Sequence, residues 1–154
     1  MLRTIVGFHE DDAADWVAEL DCHHGQHVRH EPPFRDRPWV LTESGRADRI
    51  GSPIECPLCD RAELPSGLSV VRTAGPFDAG TLPAGLRSDH RVADGVWAVV
   101  RVLDGTVFLS VAVDPAIAVE LEAGGEHAIP PGVAHHVTLG HRGRLVIDFL
   151  RPAA

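Results

Sequence analysis

The sequence predicts a mainly β protein in two parts, a small Cys/His-rich module followed by a β-barrel. Three observations predict it. All three cysteines lie within the first 60 residues, beside a cluster of four histidines between His23 and His30. From residue 77 onward the chain is a succession of short Val-, Ile- and Leu-rich runs separated by Gly and Pro. That pattern belongs to sandwiches and barrels, and no convincing helix competes with it. We divide the chain into a module at 1–68, a linker at 69–76 and a barrel domain at 77–154.

Bulk properties narrow the function classes. Hydrophobic residues make up 44% of the chain, enough for packed cores. No apolar run approaches the roughly 18 residues that span a bilayer, and residues 1–4 lack the apolar core of a signal peptide. The expectation is a cytoplasmic protein without membrane partners. A net charge of −8 argues against nucleic-acid binding, which needs clustered excess cation. Every basic side chain other than histidine is Arg and none is Lys, a composition bias without functional content.

In the first part, residues 4–8 and 16–21 read as strands around an acidic, solvated turn of Glu10, Asp11, Asp12 and Asp15. The resulting hairpin delivers Cys22 at its end. Pro32, Pro33 and Pro38 then break regular structure, and a short helix over 42–48 is expected, capped by Thr42. In the second part, strands are expected at 96–103, 106–113, 116–121, 126–129, 135–139 and 144–149. The first two flank Asp104-Gly105, whose positive φ angles suit a type I′ turn, so they are expected to pair as a two-residue hairpin. A domain of this size gains only marginal stability from its core, and pairing across a sheet edge into a homodimer is an expectation.

Three cysteines cannot complete a disulfide framework. Cys56-Pro57-Leu58-Cys59 aims two sulfurs at one point, with Pro57 stiffening the turn. Cys22 and His24, two residues apart, supply an opposing pair, and Gly25 lets the backbone turn away. His27 is an alternative partner for Cys22, and His30 a further candidate. Two pairs brought from separate loops are what tetrahedral zinc requires. A redox Cys-x-x-Cys needs a βαβ context that is absent here. Physically, some sixty residues with five prolines cannot bury enough apolar surface to fold firmly, and zinc can supply about 10 kcal/mol.

The Cys-x-His then Cys-Pro-x-Cys spacing resembles the second zinc site of RING-type domains, although the other ligand pairs are missing. More closely, residues 4–68 resemble a family of short bacterial proteins of unknown function. The resemblance is carried by Trp16-Val17-Ala18-Glu19-Leu20, Cys22-x-His24, His27-Val28-Arg29-His30-x-Pro32-Pro33, Arg37-Pro38-Trp39-Val40 and Cys56-Pro57-Leu58-Cys59. It implies no activity.

In the second part, Gly124-x5-Pro130-x-Gly132-x2-His135 resembles the second cupin motif. The first cupin motif is degraded: Ala98 stands at the usual glutamate position, and no histidine falls among residues 91–94. Residues 77–151 resemble the tellurite-resistance TehB/YeaR-like cupin family, through Leu82-Pro83, His90, Gly95-Val96-Trp97, Val102-Leu103-x-Gly105, the Pro130 to His135 run and Asp148-Phe149. They depart from it at Arg91-Val92-Ala93, where a Thr-Lys pair is expected. The resemblance implies a double-stranded β-helix barrel holding a metal or a small-molecule or anionic ligand. The best candidates for a second metal site are His90 and His135, with Asp148 as a carboxylate; imidazole suits Zn, Fe, Ni and Cu alike. His136 should face away from His135, and His127 and His141 belong to the surface.

The function expected is therefore metal binding: a structural zinc module plus a cupin that takes a metal or small ligand. The resemblance alone links it to tellurite, oxidative or nitrosative stress. A metal-dependent cupin enzyme, dioxygenase-like or isomerase-like, and a protein-interaction adaptor are the alternatives.

Overall fold

The computed structural model describes all residues, Met1–Ala154. It is mainly β, and its contacts divide it into two compact units, Met1–Cys56 and Pro57–Ala154.

The first unit is a four-stranded sheet in the order β3-β2-β1-β4. Strands β1 (Leu2–Glu10) and β2 (Trp16–Leu20) form the expected antiparallel hairpin. Its acidic turn is more ordered than a solvated loop. The Asp11 carboxylate accepts backbone N–H bonds from Ala13 and Asp15, each 2.9 Å long. Two short strands complete the sheet: β3 (Gly25–His27) on β2, and β4 (Pro53–Glu55) on β1. Ile5, Ala18, Leu20 and Val28 are buried and form its core. The short helix α1 (Glu43–Ala47) stands where Thr42 predicts it, and the Thr42 hydroxyl accepts the Gly45 N–H at 3.0 Å.

The second unit opens with a helical turn, α2 (Pro57–Asp60), and then forms two four-stranded sheets. One has the order β10-β7-β12-β5, the other β6-β11-β8-β9. The strands are β5 (Leu68–Phe77), β6 (His90–Arg91), β7 (Trp97–Asp104), β8 (Thr106–Val111), β9 (Ile117–Glu122), β10 (Glu126–Ile129), β11 (Ala134–Leu139) and β12 (Arg144–Pro152). From β9 onward each successive strand lies in the other sheet, and the two sheets form a half-barrel. Trp97, Leu109, Ile129 and Leu145 are fully buried in it.

Two expectations are overturned. Asp104-Gly105 does not close a hairpin, because β7 pairs with β10 and β12 whereas β8 pairs with β9 and β11. Gly105 (φ +61) instead carries the chain across from one sheet to the other, so close to the His141 and Arg142 backbone that a Cβ would collide. Of the two residues only Gly105 has a positive φ, so the type I′ geometry is absent. Residues 69–76, taken for a linker, are almost all of β5, which pairs along β12 from Leu145 to Pro152. Val70, Val71 and Thr73 give this segment β-branched strand character that Gly75-Pro76 obscures.

Candidate metal centre and cavity

The end of β2 makes a tight turn. His23 adopts φ +71 and its N–H donates to the Leu20 carbonyl, while the Leu20 N–H donates to the His24 carbonyl. Cys22 and His24 therefore flank a left-handed residue and point to one place. His23 makes the turn that Gly25 was expected to make. Gly25 serves instead as the first residue of β3, where a Cβ would stand 2.9 Å from Val17 Cγ1.

The opposing pair comes from the segment after β4. The Cys56 N–H donates to the Met1 carbonyl, and Pro57 opens α2 as the first residue of the turn. The Ala62 N–H donates to the Cys59 carbonyl, which fixes the end of the turn. Because β4 is three residues long and antiparallel to β1, the βαβ setting of a redox Cys-x-x-Cys is absent.

Cys22, His24, Cys56 and Cys59 are all buried, and their ligand atoms lie within 4.8 Å of one another. The cysteines are free thiols. Cys22 and Cys56 Sγ are 3.9 Å apart, and His24 Nδ1 is 3.5 Å from each. A tetrahedral ion with Zn–S near 2.3 Å and Zn–N near 2.0 Å places sulfurs about 3.8 Å apart and sulfur and nitrogen about 3.5 Å apart. The donor set therefore fits a metal ion such as zinc in both chemistry and spacing. Burial by itself would lower the His24 pKa, but the Cys22 and Cys56 sulfurs facing Nδ1 outweigh it and raise the value to about 9. The surroundings of that nitrogen call for positive charge.

His27 is not part of the cluster. It is half exposed, and Nε2 pairs with Asp11 Oδ2 at 2.7 Å, because the strand alternation of β3 turns it away. His30 Nδ1 accepts the Arg37 N–H at 3.0 Å and is likewise engaged elsewhere.

In the second unit, His90 on β6 and His135 on β11 face each other in register, with ring centroids 4.0 Å apart. Each Nδ1 lies 3.0 Å from a backbone carbonyl, of Ser88 for His90 and of Val133 for His135. Such bonds place the proton on Nδ1 and leave Nε2 as the acceptor or ligand atom. Burial, and then the charge of His90, holds the His135 pKa down to about 4. Both rings line a cavity of about 490 Å³. Ala98 lines it too, an alanine where the cupin motif has a glutamate. His136 faces away, bonded to Asp89 at 2.7 Å, as the alternation requires.

Asp148 does not join the two histidines. Ile147, Phe149 and Arg151 of β12 line the cavity, so Asp148 points to the other face. There it accepts from Arg101 Nε and Thr73 Oγ1, each at 2.6 Å. The Arg101 guanidinium, with help from Thr73, keeps its carboxyl below the usual carboxylate range. Arg101 and Thr73 belong to no sequence motif; the arginine lies two residues from Val99, the β7 partner of Asp148, a signal visible only once pairing is known. The Cys/His cluster is the only group of three or more potential donors brought within ligating distance.

No helix is long and apolar enough to cross a membrane. Among solved structures, the chain is similar to a protein of Escherichia coli strain K12. The TM-score is 0.53 at 22% identity, over 60% of this chain and 98% of that one. TehB from Haemophilus influenzae is similar at TM-score 0.50 and 16% identity, over 56% of this chain and 32% of that one. Identities this low show the fold alone. No curated protein matches the chain. Residues 6–63 match a family described as protein of unknown function (DUF3565), and residues 72–143 match the TehB-like domain, so this chain joins a segment of each.

Proposed function

We propose that this is a metal-binding protein whose N-terminal module is closed by a structural zinc ion on Cys22, His24, Cys56 and Cys59. The C-terminal unit, in this reading, is a cupin-like barrel that takes a small ligand in the cavity beside His90 and His135. The observation that carries the first claim is the convergence of four buried donors within 4.8 Å of one another, three of them at tetrahedral spacing, with no disulfide between them. A closed set of four protein ligands leaves no open position for substrate, which makes the role structural. When bound, zinc supplies cross-linking of β2 to the Cys-Pro-Leu-Cys turn. The chain's own residues supply the rest: His23 sets the angle between Cys22 and His24, and Pro57 sets that between Cys56 and Cys59. Elemental analysis should find one zinc per chain, lost in Cys59→Ser. Absence of bound metal from folded protein would sink the claim.

A second reading, in which a divalent metal such as Zn, Fe, Ni or Cu also binds His90 and His135 and the barrel is an enzyme, is favoured by the two carbonyl-anchored imidazoles. Two protein ligands would leave positions open for water or substrate. A second metal equivalent that disappears in His135→Ala, with the first retained, is the expected result. A link to tellurite or other stress responses rests only on resemblance to the TehB-like domain.

A further inference from the structure

We propose that the cavity beside His90 and His135 binds an organic monocarboxylate with an apolar body, its carboxylate held by Arg72 and Arg151. This rests on reading the second unit as a ligand-binding barrel and names the ligand's class.

Charge is the first observation. The chain carries 22 acidic residues against 14 arginines, so a patch drawn at random should be acidic. The cavity wall contains Arg72, Arg91 and Arg151 and not one Asp or Glu. Arg91 donates to the Gly132 carbonyl at 2.7 Å, which ties down part of its guanidinium. Arg72 and Arg151 are exposed and make no ion pair with a carboxylate, so their guanidinium groups are open to a ligand in the cavity. Guanidinium groups left unpaired on the wall of a concave site suit the planar, bidentate geometry of a carboxylate.

Backbone geometry is the second. Along β12, Phe149 pairs with Arg72 but Leu150 pairs with Val70, so Val71 is an extra residue on β5. This bulge lets two consecutive side chains, Val71 and Arg72, line the same cavity, which a regular strand forbids. Arg72 is also held in place, its guanidinium carbon 4.3 Å above the Phe149 ring centroid. Arg151 lies two residues beyond Phe149 on the same face of β12.

The remaining walls define the body of the ligand. Val71, Val96, Ile147 and Phe149 are apolar, and at about 490 Å³ the cavity falls in the range of organic-ligand sites. An inorganic oxyanion would leave most of that surface uncovered. Histidines on the β6–β11 wall can bond to a polar group carried by the body.

Isothermal titration of the full chain with hexanoate, phenylacetate and indole-3-acetate, each beside its neutral amide, tests this. At least one acid should bind, with its amide tenfold weaker or worse. Arg151→Gln and Arg72→Gln should each weaken that acid about tenfold, while Arg144→Gln, outside the cavity, should not. Inorganic phosphate should bind far more weakly than the acid. An amide that binds as well as its acid, in a manner abolished by the cavity-filling Ala98→Phe, would overturn the carboxylate claim yet leave the ligand-binding barrel standing. No binding by any acid or amide to folded protein would overturn both. Phosphate binding that matches the acid's and depends on Arg151 would replace the proposal with a simple oxyanion site.

Discussion

At the scale of single residues, two buried polar groups in the second unit make opposite electrostatic demands. His135 is 4% exposed and its pKa is held at about 4 against an ordinary 6.5. The folded chain therefore protonates later than the unfolded one. Its contribution to stability is full above pH 6.5 and is lost as pH falls toward 4, about 3 kcal/mol in metal-free protein. Urea unfolding at pH 7.5, 6 and 4.5 should show that loss, and His135→Gln should remove most of it. Asp148 is also buried but is charged and paired, so Arg101→Leu strands a carboxylate. Because Arg101 is 41% exposed, water softens the penalty, and we expect a modest but measurable destabilisation. In the wild type that contribution is present above a carboxylate pKa of about 4 and is lost only as pH falls through Asp148's lowered value. Thermal unfolding of Arg101→Leu at pH 7 and pH 3 separates the two groups: the variant's deficit should shrink at pH 3.

At the scale of elements, the connections between strands matter more than the strands. Gly105 has φ +61 and passes against the His141 and Arg142 backbone, so Gly105→Ala combines left-handed strain with a backbone collision. We expect about 3 kcal/mol of destabilisation, measured by chemical denaturation, against about 1 kcal/mol for Gly67→Ala, where the φ is positive but no atom is close. The same glycine shows where the sequence stops being legible. Alternating apolar residues placed β7 to β12 to within a few positions, and Thr42 placed α1, because those signals are local. Asp104-Gly105 announces a positive φ, and local chemistry cannot say whether the chain then returns beside β7 or crosses to another sheet. The strand β5 was hidden for a similar reason: Gly75-Pro76 punctuates it, and its pairing with β12 spans some 75 residues. Within the candidate site, Cys22, His24, Cys56 and Cys59 were legible because a Cys-x-His pair and a Cys-x-x-Cys pair in one short module admit few uses. Asp148 was misplaced because its face depends on register. Arg72 and Arg151 of the cavity wall were invisible for want of any motif, and a count of charges along the chain could not have revealed them.

At the scale of the whole molecule, the two units draw their stability from different sources. Residues 57–154 bury large aliphatic and aromatic side chains, among them Trp97, Leu109, Ile129 and Leu145, and need no ion to form a core. Residues 1–56 bury few apolar side chains, Ile5, Val17, Ala18, Leu20, Val28 and Val40, and three further buried positions are Cys22, His24 and Cys56 themselves. If a zinc ion holds those three together with Cys59, its removal takes away a contribution on the order of 10 kcal/mol, more than a module of that size retains by packing. Hydrogen exchange read by mass spectrometry should then show protection lost across β1, β2 and β3 after treatment with a strong chelator, while β7, β11 and β12 stay protected. Adding zinc back should restore the first set. Retention of slow exchange in β1 and β2 without metal would mean that Ile5, Ala18, Leu20 and Val28 suffice as a core, and that the four converging donors serve some purpose other than holding the fold.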